Sequence, residues 1–183
     1  MKKPSLIALL VLLLTVAGPR AWVGAKETDD PVENGGSLLD RILDERLEIE
    51  KGELAWLRDE ADRETIWFEG YLEHYTHFVE GLEQEQSGNY EQALASLEAA
   101  MDAERYEVAN FEPLFDIGRI YYRLGDFEDA EASLSEYIFH VNSMLSGKEI
   151  LEWGFSEEYE QQMRHFREYA RTLLRSIESE GAG

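Results

Sequence analysis

The chain has no cysteine among its 183 residues. That excludes disulfides, thiol catalysis, thiolate metal sites and a lipid-modified N-terminal cysteine. Cations are also scarce: 17 lysines and arginines stand against 39 aspartates and glutamates, a formal net charge of −22. Nucleic acid and anionic lipid headgroups are therefore poor partners, because phosphate recognition needs a basic face. The excess acid reads as a solvated, self-repelling surface, with a cation-rich or basic partner as the alternative. Past the N-terminus no stretch alternates apolar and polar residues with the period of two that marks a strand. Hydrophobic residues nonetheless make up 44% and aromatics 11%, enough for one domain with a sizeable core.

The one long apolar run lies at the start. Lys2 and Lys3 precede an apolar stretch from Leu6 to Val16, and Val23-Gly24-Ala25 offers small or permitted residues for cleavage before Lys26. This is the pattern of a secretory signal over residues 1–25, so the chain is expected to be exported, to a periplasm or cell surface. An uncleaved N-terminal anchor is the alternative, and membrane contact is expected only through this segment. Pro19-Arg20 interrupts the run short of the roughly 20 apolar residues that a spanning helix needs. Residues 26–36, "KETDDPVENGG", read as a flexible acidic linker.

The rest reads as helix. Ser37 is a natural N-cap, and Leu39, Leu43, Leu47, Leu54 and Leu57 follow at spacings of three, four or seven. This N-terminal helix either docks on the domain or forms a short coiled-coil seam that makes a homo-oligomer. Further helices are expected over Thr65–Gln86, Tyr90–Ala103, Phe111–Leu124 and Phe127 to about Val141. A long amphipathic helix opens after Ser156, with Tyr159, Met163, Phe166, Tyr169, Leu173 and Ile177 on its apolar face.

Within that pattern one phrase is written twice. "GNYEQALASL" (Gly88–Leu97) returns 37 residues later as "GDFEDAEASL" (Gly125–Leu134), with six of ten positions identical. In both copies a glycine lies seven before the turn glycine (Gly81, Gly118), an aromatic two after it (Tyr90, Phe127) and an alanine five after it (Ala93, Ala130). Gly88 and Gly125 suit the positive φ of a tight turn between helices. Gly81 and Gly118 let the paired helices approach, with Ala93 and Ala130 expected opposite them.

This spacing resembles the tetratricopeptide repeat, a helix–turn–helix unit of about 34 residues. The register gives one repeat over 74–107 and a second over 111–144, with Val108–Asn110 inserted in the connector. His77, Glu80 and Gln84 depart from the usual apolar positions of the first repeat, and neither repeat ends in the usual proline. The implied fold is all-α: a short solenoid of helical hairpins, with N-terminal helices (37–73) before it and a C-terminal capping helix and tail (145–183) after it. Two repeats cannot cover both their faces, so the flanking helices are expected to close the core.

The resemblance also implies a concave groove lined by the first helix of each repeat. Transferred by register, it would be faced by Tyr75, Phe78, Leu82, Glu85 and Gln86, then Glu112, Phe115, Arg119, Tyr122 and Arg123. Tyr75, Phe78, Leu82, Phe115, Arg119, Tyr122 and Arg123 are the candidate partner-binding residues. Arg119 and Arg123, at i and i+4, suit a peptide carboxylate or equally the chain's own glutamates. Tyr75, Phe78 and Phe115 fit a groove or plain core.

Catalysis is not expected. His74 and His77 lie three apart, whereas metal-binding helices use His at i and i+4 or Glu with His at i+3. The sequence has no phosphate-cradling loop, no Gly-x-Ser-x-Gly elbow and no His-Glu-x-x-His. No cofactor or metal is expected. The function classes left are an exported scaffold or adaptor that holds a protein or peptide partner, an enzyme regulator, and an oligomeric envelope-assembly component.

Overall fold

A computed structural model of the chain describes residues 37–61, 69–103, 111–147 and 157–181. The expected signal segment (1–25), the acidic linker (26–36), Thr65–Phe68, the connector around Val108–Asn110 and Ser156 lie outside the described residues.

Six helices, and no strand, make up the described residues: α1 Leu38–Ala61, α2 Glu69–Gln86, α3 Tyr90–Asp102, α4 Pro113–Leu124, α5 Phe127–Gly147 and α6 Glu157–Gly181. Ser37 caps α1 as expected. Its Oγ accepts from the Asp40 backbone N–H, and the Asp40 carboxylate accepts from the Ser37 backbone N–H. Two orphan donors at the helix start are thereby satisfied. The helix runs unbroken through Lys51-Gly52. α4 starts at Pro113 rather than Phe111, because proline's missing N–H is harmless only in a first turn. α5 runs on past Val141 to Gly147.

The twice-written phrase becomes two superimposable joints. At the first, Gly88 (φ 78°) donates to the Glu85 carbonyl and Asn89 donates to the Gln84 carbonyl. At the second, Gly125 (φ 77°) donates to Tyr122 and Asp126 to Tyr121. This is the left-handed glycine closure of a helix, repeated at the same register. The close approach inside each hairpin differs from the expectation in one respect. A Cβ on Gly81 would lie 2.7 Å from Leu97 Cγ, and one on Gly118 would lie 2.7 Å from Leu134 Cγ. The leucine that ends the phrase, rather than the alanine in its middle, fills the space each glycine leaves. The nearest Ala93 atom is its carbonyl oxygen, 3.2 Å from the Cβ added at Gly81.

The core follows the hairpins. Around the first, Phe78, Val79, Leu82, Ala93, Leu97 and Ala100 pack with Leu43, Leu47 and Leu54 of α1. Around the second, Phe115, Ala130, Leu134, Tyr137 and Val141 pack with Met163, Phe166, Ala170, Leu173 and Ile177 of α6. The expected apolar face of α6 is therefore its buried face, with Tyr159 and Tyr169 at its half-buried margin. α1 docks on the domain. Leu43, Leu47, Leu54 and Leu57 are buried within the protomer, so the leucines of an oligomerising seam are already used.

Candidate functional site

The first helices of the two repeats, α2 and α4, form the floor of the concave side, and α6 continues it. Their register places Phe78, Leu82 and Glu85 of α2 beside Phe115, Arg119, Tyr122 and Arg123 of α4. The structure brings these residues together, but it does not leave the floor open. α1 lies along it, antiparallel to α2. Phe78, Leu82, Phe115 and Arg119 are 0% exposed and Glu85 is 3% exposed, so they are core under α1 rather than an open surface. Tyr75 and Tyr122 are half-buried, and Arg123 keeps a partly exposed side chain. Gln86 is exposed and donates to Asp44 of α1 at 3.0 Å.

The physical reason that the two arginines do not await a carboxylate partner is that the chain supplies its own. Arg119 Nη2 donates to Glu85 Oε2 at 2.6 Å and to Asp116 Oδ1 at 2.8 Å. Arg123 Nη2 donates to Asp40 Oδ1 at 2.5 Å, and its Nε lies 3.3 Å from Glu85 Oε1. From α1, Arg46 reaches down with Nε 3.2 Å from Asp116 Oδ2, while Nη1 pairs with Glu50 on its own helix at 2.8 Å. Its guanidinium carbon sits 4.8 Å from the ring centres of both Phe78 and Phe166, a cation between two ring faces. Burial alone would weaken the Arg46 charge, but Glu50 and Asp116 outweigh it and hold the guanidinium protonated above its ordinary value. Burial also pushes the Glu85 carboxyl up to about 7; the nearby Arg119 pulls it down and Asp116 adds to the rise.

The two histidines separate. His74 is fully buried, with Nδ1 2.7 Å from the Ala100 carbonyl and Nε2 3.6 Å from Glu112, whose other oxygen accepts from Tyr159 at 2.8 Å. It ties α2 to α3, α4 and α6. His77 is half-exposed beside Glu80. At the far edge of the groove, His165 of α6 meets Glu45 of α1 at 2.9 Å. Among the described residues, no group of three or more His, Asp and Glu side chains could hold a metal ion. Nor is any helix there long and apolar enough to cross a membrane.

Sequence reasoning missed Arg46, Glu50 and Asp116, which decide how α1 sits. Two signals were present. Arg46 and Glu50 stand at i and i+4 on the face that carries Leu43 and Leu47. Asp116 occupies the register position where the first repeat has Val79, so an acid stands where a buried apolar residue is due.

Residues 85–140 match the family model described as the tetratricopeptide repeat. Comparison with curated proteins and with solved structures gave no match.

Proposed function

The chain is a tetratricopeptide-repeat protein over residues 85–140, and on that premise we propose that it is an exported scaffold or adaptor that holds a protein partner in the cell envelope. Repeats of this kind are interaction scaffolds and typically non-catalytic. The observation that carries the reading is that α2 and α4 form a floor that already seats a helix: α1 covers Phe78, Phe115 and the Arg119 network, and Tyr75, Tyr122 and Arg123 stay half-buried beside it. A floor combining ring faces with fixed charges distinguishes one helix or peptide from another, which a purely apolar floor does less well. Export rests on the Lys2-Lys3 start, the apolar run and the Val23-Gly24-Ala25 site.

A photo-crosslinking residue at Tyr122, in the full chain expressed in its host, is expected to capture one defined protein. The same residue at Phe139, on the outer face and 66% exposed, is expected to capture none. Equal capture at both positions, or none at either, would discard the groove as a partner site. Mass spectrometry of the captured chain is expected to find an N-terminus at Lys26; an intact Met1 would replace export by cleavage with a retained anchor.

A further inference from the structure

We propose that α1 is a built-in occupant of the groove, and that the partner is a more basic, arginine-bearing amphipathic helix that takes α1's place. This rests on the scaffold reading and specifies what the groove takes.

First, the central ion pairs of the floor are made within the floor. Arg119 is bonded at 2.6 Å and 2.8 Å to Glu85 and Asp116, both floor residues, and Arg123 stands beside Glu85. Removing α1 leaves Arg119 bonded to Glu85 and Asp116; Arg123 loses its bond to Asp40 and keeps Glu85 as its neighbour. α1's own buried charge, Arg46, keeps Glu50 as a companion on the same helix. Of the polar contacts at the rim, Lys51 with Glu83 at 2.7 Å and Asp44 with Gln86 at 3.0 Å are exposed, and Arg123 with Asp40 and His165 with Glu45 are part-buried. Exposed pairs of this kind hold a helix weakly and re-form readily. The hairpins are closed differently, by leucines set against glycines.

Second, the floor defines a receptor chemistry. Phe78 of α2 and Phe166 of α6 form two walls, and the Asp116 carboxylate of α4 forms the base of a slot that takes one guanidinium. Lysine lacks both the planar stacking and the fork that this slot uses. Ile42, Leu43 and Leu47 flank the arginine in "ILDERLEIE", Ile42–Glu50, and are buried against the floor. The slot, with its apolar neighbours, specifies a helix by pattern.

Third, α1 is an electrostatically poor tenant. Leu38–Ala61 carries eight acidic and four basic residues, in a chain of net charge −22. A helix with the same buried pattern and a basic outer face gains attraction where α1 meets repulsion. A second copy of the chain has no such advantage. Its α1 is identical, while the resident α1 is tethered beside its own groove and wins by effective concentration.

The test uses the full chain and synthetic labelled helices. One peptide spans residues 37–61 with the exposed Asp44, Glu48 and Asp59 replaced by lysine, which leaves five acidic against seven basic residues; a control peptide also carries Arg46→Gln. Because the chain has no cysteine, Asp44→Cys and Gln86→Cys can be joined by a short thiol cross-linker to lock α1 down. The basic peptide is expected to bind the parent chain, to bind at least tenfold more tightly to the chain whose own α1 carries Arg46→Gln, and to fail on the locked chain. The Arg46→Gln peptide is expected to bind at least tenfold more weakly. Binding unaffected by the lock, no binding to either unlocked chain, or a concentration-dependent dimer that blocks the peptide would each overturn the proposal.

If the Arg46→Gln chain does not fold, hydrogen exchange of the parent decides. Amides of α1 are expected to exchange at least tenfold faster than those of α4, and locking is expected to close that gap; equal protection in the parent rejects a replaceable α1. Failure of the peptide together with capture at Tyr122 in the host rejects the occupant and keeps the scaffold. Peptide binding without any capture at Tyr122 does the reverse.

Discussion

The two repeats share a register, and at two buried positions the second carries a charge where the first is apolar. Phe78 and Phe115, Gly81 and Gly118, Leu97 and Leu134, and the turn glycines Gly88 and Gly125 are the same in both copies, and they build the same hairpin. Val79 and Leu82 of the first repeat correspond to Asp116 and Arg119 of the second, and all four are buried. The shared positions set the joint. The divergent pair sets where α1 sits, because Asp116 receives Arg46 while Arg119 holds Glu85 and Asp116 in place. A buried ion pair contributes little net stability over an apolar pair of like size, but it is costly when broken. Its effect is to fix one register for the docking helix.

The largest effect should come from breaking that divergent pair by halves. Asp116→Ala leaves Arg46 and Arg119 buried without their shared carboxylate and should cost about 3–5 kcal/mol in urea unfolding. Asp116→Val with Arg119→Leu restores the residues of the first repeat. With Arg46→Met added, the triple variant should recover most of the loss, even though Glu85 keeps only Arg123 and Glu50 loses its ion pair with Arg46. A triple variant as unstable as Asp116→Ala would mean that the network stabilises the fold in its own right.

The shared positions predict symmetry. Leu97→Ala and Leu134→Ala each empty the space beside a glycine, and each should cost about 2–5 kcal/mol, within about 1 kcal/mol of one another. A much smaller loss at Leu97 would show that the first hairpin depends mainly on α1 for its core.

Acidity separates the repeats as well, because Glu85 of the first is caught in the charge network of the second. Its folded value of about 7 lies above its ordinary 4.5. The folded chain therefore binds the extra proton between those values. Glu85's contribution to stability is full below about 4.5 and declines as pH rises through about 7. Urea midpoints taken from about pH 5 to pH 8 should show this decline, at most about 1.4 kcal/mol per pH unit, and Glu85→Gln should remove it. A slope unchanged in Glu85→Gln would assign the pH dependence to other groups.

The smallest effect lies at the close approaches. Gly118→Ala pushes against Leu134 but gains helix propensity, so a net loss of about 1 kcal/mol is expected, matched by Gly81→Ala. Combining Gly118→Ala with Leu134→Ala should cost less than the sum of the two, because the added methyl enters the space the leucine vacates. Strict additivity would show that the glycine serves another purpose.

Much of this was legible along the chain because it is local. Gly88 and Gly125 announce left-handed turns, Ser37 announces a cap, and the spacing of Met163, Phe166, Leu173 and Ile177 announces which face of α6 is buried. Each of these depends on neighbours within a turn or two, so the sequence alone determined the all-helical hairpins and their register. Only the tertiary structure decided that the groove is filled, that Phe78, Leu82, Phe115 and Arg119 lie beneath α1, and that Arg46 is the side chain that reads them. A leucine stripe on α1 states that the helix must bury one face, not against what. The choice between a second copy and the chain's own groove depends on side chains 70 residues apart, Arg46 and Asp116, meeting at 3.2 Å, and no periodicity records such a meeting.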